Sequence, residues 1–215
     1  MPPMTGSRGY RAHRERTARG LNALLRPVES LLLKLRIGPD ALNWAGLILS
    51  AASGVLIATG FLALGGAALF LGGMADILDG RLARRLERVS PFGAFIDSTL
   101  DRFGESFVYL GLLFYLQERG VSGFWPAFAL AGALIVSYAR ARGESVGVVC
   151  DAGLMQRGER LSLIIGACWI VPLLGRAARV DEVRIMEGFA AVLGLATWLS
   201  AVVRAWTIAV RLRRK

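Results

Sequence analysis

Histidine and cysteine are nearly absent from this 215-residue chain, and each scarcity closes off chemistry. The one histidine, His13, lies in an arginine-rich N-terminal tail and reads as a solvated residue. That argues against a nucleophile activated by histidine. The two cysteines, Cys150 and Cys168, have no metal-ligand spacing and read as free thiols, packed like small hydrophobes. Acid is also scarce: 16 Asp+Glu stand against 26 Lys+Arg, a formal charge of +10 carried almost wholly by arginine. No zinc pattern and no aromatic-basic RNA motif accompanies that charge, which argues against a nucleic-acid partner. Membrane orientation and anionic substrates account for it better. No cleavable signal peptide is evident, because the first apolar run is interrupted and comes late.

What the chain has in abundance is apolar residue. It is 54% hydrophobic, with a mean hydropathy of +0.50. That is too apolar for an ordinary soluble domain and suits a polytopic membrane protein. The pattern predicts an all-α fold with six transmembrane helices, near 41–60, 62–84, 92–117, 122–142, 160–176 and 187–210. Before them, leucines alternate with Arg26, Lys34 and Arg36 in a predicted amphipathic interfacial helix, broken near Pro27. Two units follow: a basic arm with this helix over 1–36, and a membrane domain over 37–215. Arginines cluster in the N-terminal arm, at Arg81 to Arg88, at Arg140 to Arg160, and in the C-terminal tail. All four clusters fall on one side of the predicted layout, which puts both termini in the cytoplasm. Trp125, Trp169, Trp198 and Trp206 read as interfacial anchors or core packing.

One polar stretch interrupts the apolar sequence. From Asp76 to Asp101 it reads D-I-L-D-G-R-L-A-R-R-L-E-R-V-S-P-F-G-A-F-I-D-S-T-L-D. Asp76 and Asp79 are three apart, Asp97 and Asp101 four apart, so each pair shares one helix face. The link between the pairs is short enough to make their helices antiparallel neighbours, so the pairs can converge. Carboxylates gathered in a membrane repel one another unless cations neutralise them. Mg²⁺ or Mn²⁺, hard ions with oxygen ligands, are the natural partners, and two such ions could clamp a pyrophosphate. Gly80 and Gly93 fit either close ligand approach or helix packing.

A second polar constellation lies downstream. Ser137, Arg140, Arg142, Arg157 and Arg160 fall on the same cytoplasmic side, and Arg204 sits inside the last predicted span. They read either as an anion pocket or as residues that set topology. Glu105 and Glu144 each occur in a G-E-S triplet, a coincidence with no mechanism at this level.

The aspartate stretch resembles the signature of the CDP-alcohol phosphatidyltransferases, D-x-x-D-G-x-x-A-R followed by G-x-x-x-D-x-x-x-D. The defining positions match at Asp76, Asp79, Gly80, Ala83, Arg84, Gly93, Asp97 and Asp101. The resemblance implies that the aspartates hold two Mg²⁺ or Mn²⁺ ions and that Asp101 also acts as the base. It implies that Asp79, Gly80, Ala83, Arg84, Ser90 and Gly93 hold the CDP-lipid. The implied reaction is attack of an alcohol on CDP-diacylglycerol or a related CDP-lipid, with CMP leaving. The downstream segments are similar to those of the phosphatidylinositol phosphate and archaetidylinositol phosphate synthases within that family. This implies that Ser137, Arg140, Arg142, Arg157, Arg160 and Arg204 surround the phosphate of a phosphorylated polyol, inositol 1-phosphate in the first instance. The chain departs from that pattern at Arg140, Gly143 and Gln156, where lysine, alanine and glutamate are common. Glycerol 3-phosphate is the alternative acceptor. The resemblance also implies a homodimer with a cavity open to the cytoplasm. A cation transporter is the alternative of another class, but it gives Gly80, Ala83, Arg84 and Gly93 no required place. A non-catalytic scaffold leaves the carboxylates without a role.

Overall fold

Every regular element of the computed structural model, which describes residues 25–150, 153 and 155–214, is a helix. In chain order these are α1 (residues 25–34), α2 (Pro39–Ala58), α3 (Leu62–Arg85), α4 (Pro91–Gln117), α5 (Phe124–Ser145), α6 (Arg157–Ala178) and α7 (Glu182–Arg213). His13 and the arginines upstream of residue 25 lie outside the described residues. Helices α2, α3, α5, α6 and α7 are long and apolar enough to cross a bilayer. The 27-residue α4 matches the remaining predicted span in position, but it carries Asp97, Asp101, Arg102 and Glu105.

Local chemistry explains the helix ends. Pro91 opens α4, where its missing N–H costs no bond, and the Ser90 hydroxyl accepts from Gly93 N at 3.0 Å. Gln156 and Glu159 form a reciprocal capping box that starts α6, with Gln156 N donating to Glu159 Oε2 at 2.7 Å. Asp181 caps α7 by accepting from Val183 N at 2.9 Å. The predicted break near Pro27 is not found: residues 25–34 are helical without interruption. Helix α1 is tied inward by a buried acid, Glu29, which pairs with Arg81 and Arg85 of α3. Leu31 of this helix and Leu35 just beyond it stay exposed.

Helix α2 packs on both α3 and α4, α3 on α6, and α5 on both α4 and α7. Helices α2 and α4 cross backbone against backbone. A methyl at Gly54 would collide with the Phe107 carbonyl, and one at Gly111 would collide with the backbone of Gly54. Small residues allow this approach where lipid supplies no hydrophobic drive between helices. Two tryptophans tie other pairs. Trp169 Nε1 donates to Ala63 O at 3.0 Å, and Trp198 Nε1 donates to Phe128 O at 2.8 Å. The outer surface is apolar, with Ile48, Val192 and Trp206 each at least 65% exposed. Buried inside are Ser53, Glu105, Arg160, Thr197 and Arg204. That distribution suits a bundle whose solvent is hydrocarbon.

Gly54→Val should lower the melting temperature in detergent by several degrees, matching an overpacking penalty of about 1–3 kcal/mol. Gly188→Ala, where an added methyl meets nothing within 4 Å, should hold or slightly raise it, since alanine is the better helix former. Equal melting temperatures for the two variants would remove the α2–α4 crossing as a packing constraint.

Candidate active site

Helices α3 and α4 are joined by a short turn, but each packs chiefly on α2 and not on the other as the short link predicted; their adjoining ends carry the aspartates. Asp76 and Asp79 sit in the last part of α3, Asp97 and Asp101 in the first part of α4. The turn between them is tight, with Glu87 in the left-handed region at φ 55°. Asp76, Asp97 and Asp101 each offer an oxygen within 4.8 Å of the others. Asp79 is 6% exposed, and its buried Oδ2 has no hydrogen-bond partner. It lines a tight cavity together with Asp76 and Asp101.

A larger, open cavity of about 500 Å³ adjoins this cluster. Asp79, Gly80, Ala83, Arg84, Ser90 and Gly93, the residues singled out for a CDP-lipid, all line it, and Asp97 joins them. The two glycines do not pack against a neighbouring helix. A methyl at Gly80 would meet only Arg84 Nη1 at 3.7 Å, and one at Gly93 only Ser90 Oγ at 3.2 Å. Such methyls would instead take room from the cavity, unlike a methyl at Gly54. Asn43 of α2 lines both cavities and Asp40 the larger one. Sequence reasoning passed over both, since a lone polar residue at the start of an apolar span carries no spacing signal.

The downstream arginines do not form one group. Arg157, the first residue of α6, reaches back to the aspartates: Nη1 donates to Asp76 Oδ1 and Oδ2 at 3.1 and 3.0 Å, and Nη2 lies 2.8 Å from Asp101 Oδ1. One turn on, Arg160 forms a bidentate pair with Glu105, Nε to Oε1 at 2.7 Å and Nη2 to Oε2 at 2.9 Å. Both side chains are 1% exposed, and Arg160 Nη1 also donates to Met155 O at 2.7 Å. Arg160 is thus committed to the protein interior in this arrangement. Arg204 is buried and donates to Val136 O at 3.2 Å. Arg140 and Arg142 are exposed, paired with Glu144 at 3.0 Å and with Ser145 Oγ at 3.4 Å. Ser137 is half-buried on α5. Neither cavity described above is lined by Ser137, Arg140, Arg142, Arg160 or Arg204.

Glu105 is a further residue that sequence reasoning left without a role. A signal existed: it lies four residues after Asp101 on the same face, and Arg160 lies three after Arg157. An acid in an apolar helix needs a partner, and the parallel spacing points to one. Breaking this pair from one side leaves a buried charge, which costs about 3–5 kcal/mol. Glu105→Gln should therefore sharply reduce the yield of monodisperse protein in detergent. The double variant Glu105→Met/Arg160→Met should recover most of it. A double variant no better than the single one would show that the two charges do not depend on each other.

Comparison with known proteins bears on this arrangement. The chain is 34% identical to the archaetidylinositol phosphate synthase of Methanothermobacter thermautotrophicus over 139 residues, 64% of this chain and 69% of that protein. It is 35% identical to the phosphatidylinositol phosphate synthase of Cutibacterium acnes over 162 residues, 72% of this chain and 76% of that protein. The crystal structure of the Mycobacterium tuberculosis phosphatidylinositol phosphate synthase with CDP-DAG bound superposes with a TM-score of 0.73 at 26% identity, covering 85% of this chain and 92% of that one. The same enzyme in complex with manganese and citrate gives a TM-score of 0.73, covering 85% and 87%. The sequence model of the CDP-alcohol phosphatidyltransferases matches residues 36–209, most of the chain, and the chain belongs to that family.

Proposed function

We propose that this membrane transferase moves a phosphatidyl group from CDP-diacylglycerol, or a related CDP-lipid, to a hydroxyl of inositol 1-phosphate. The observation that carries the reading is the meeting of four aspartates with a cavity of about 500 Å³ lined by all six residues singled out for the donor. The donor is supported by the CDP-DAG complex of a structural relative, and the acceptor by the relatives' names.

The donor set fits a divalent metal. Three carboxylate oxygens lie within 4.8 Å of one another, and a fourth, on Asp79, is buried without a partner. Oxygen-only donors of this charge suit Mg²⁺ or Mn²⁺. Asp76, Asp79, Asp97 and Asp101 would hold two such ions, and a relative's manganese complex supports the metal's identity. When bound, the ions supply positive charge to the donor's pyrophosphate oxygens.

The chain's own residues do the rest. Arg84 brings a guanidinium to the donor cavity, and Gly80 and Gly93 leave room for the diphosphate at the backbone. Asp101 takes the proton from the acceptor hydroxyl. That oxygen bonds to the phosphatidyl phosphorus, the phosphorus–oxygen bond to CMP breaks, and CMP leaves with the electron pair. Arg157, beside Asp101, is the arginine best placed to meet the acceptor's phosphate. Arg140, Arg142, Ser137 and Arg204 complete the acceptor side, and Arg160 acts through Glu105 by holding the start of α6 in place.

The wider reading keeps α4 as the sixth span, its charges facing partners within the bundle. It keeps the basic arm over 1–36 ahead of the membrane domain, both termini and the site on the cytoplasmic side, and a homodimer as the assembly. A cation transporter would leave the donor cavity without a role.

Purified protein should release CMP from CDP-diacylglycerol with Mg²⁺ or Mn²⁺ and inositol 1-phosphate, and not with glycerol 3-phosphate, free inositol or serine. Release with glycerol 3-phosphate alone would replace the acceptor and keep the aspartate chemistry. Chelation with EDTA should abolish release. Asp101→Asn should lower turnover by at least about 100-fold, the low end for a positioned base, with the fold intact in detergent. Turnover within a fewfold of wild type would remove Asp101 as the base.

A further inference from the structure

The position of Arg157 raises a question of occupancy. Its guanidinium spans Asp76 and Asp101, with contacts of 2.8 to 3.1 Å. These are two of the three carboxylates grouped within 4.8 Å. A divalent cation bound at these carboxylates would compete with the guanidinium for their oxygens and repel its charge. One monovalent cation also meets four carboxylates incompletely. Asp79 Oδ2 stays buried and unpaired beside it, and so does Arg157 Nε.

The backbone beneath Arg157 is fixed while its side chain has a pivot. Arg157 follows the capping box of Gln156 and Glu159, and the buried Arg160–Glu105 pair locks the next turn of α6 to α4. A change at the aspartates therefore moves a side chain and leaves the helix where it is.

We propose that Arg157 is a displaceable counter-cation: a divalent ion binding to the aspartates releases its guanidinium from Asp76 and Asp101 and frees it to hold the acceptor's phosphate. Metal binding and acceptor binding are then coupled through one side chain, in that order. The second half of the proposal rests on the acceptor reading given above. Thermodynamic linkage makes the coupling reciprocal, so each ligand raises the other's affinity by the same factor.

The test is a titration of Mn²⁺ into the full-length protein in detergent, followed by the paramagnetic resonance of free Mn²⁺. Arg157→Gln should bind Mn²⁺ roughly tenfold more tightly than wild type, within the usual range for coupled sites. In wild type, saturating Mn²⁺ should raise the affinity for inositol 1-phosphate by about the same factor. In Arg157→Gln that dependence should vanish. An unchanged or weakened Mn²⁺ affinity in a folded Arg157→Gln overturns the displacement. Equal inositol 1-phosphate binding with and without Mn²⁺ in wild type overturns the coupling, and that arm needs no variant to fold. Either failure leaves CMP release by the wild-type enzyme untouched, whereas a failure of the proposed reaction appears only in that separate assay.

Discussion

Repulsion among the carboxylates at the facing ends of α3 and α4 is the constraint on which this structure turns. Two unit charges 4 Å apart interact by about 4 kcal/mol at the effective dielectric near a protein surface. Three of these aspartates offer oxygens within 4.8 Å of one another, with a fourth buried beside them. The fold answers with charge carried on another helix. Two arginines of α6, three residues apart, meet two acids of α4, four residues apart. Arg157 takes the outer rung with Asp101 and Asp76, and Arg160 the inner rung with Glu105. The capping box at Gln156 and Glu159 sets where α6 begins, and hence which arginine stands at which rung.

Glycine serves two ends in this bundle, and the surroundings separate them. Gly54 and Gly111 are needed because two helix backbones touch there. Gly80 and Gly93 have no helix against them and open onto the donor cavity. The first pair holds α2 against α4, which in turn brings Asn43 of α2 to the edge of both cavities. Packing in one half of α2 thus sets chemistry in the other. Glu29 of α1 adds a tie to Arg81 and Arg85, on either side of the donor-lining Arg84.

Much of this was legible in the chain itself, because it depends on local spacing. Helices with apolar faces of spanning length, Pro91 behind Ser90, and aspartates three and four apart all state their geometry within a few residues. The family motif also contains every residue that lines the donor cavity from α3, and all from α4 apart from Phe92 and Ala94. The acceptor side was less legible. Five arginines that read together with Ser137 as one constellation are divided by the structure among the aspartates, a buried ion pair, a backbone carbonyl and the surface.

The sequence by itself determined the class of membrane helix bundle and the aspartate constellation, since each follows from periodicity and side-chain chemistry; the glycines were left between two roles until the structure placed them at the cavity. Only the tertiary structure decided which arginine faces which acid. Arg157 lies 81 residues from Asp76, and Arg160 lies 55 from Glu105. Pairings at that range depend on how α6 packs against α3 and reaches α4, and equal charges are interchangeable until packing ranks them by depth.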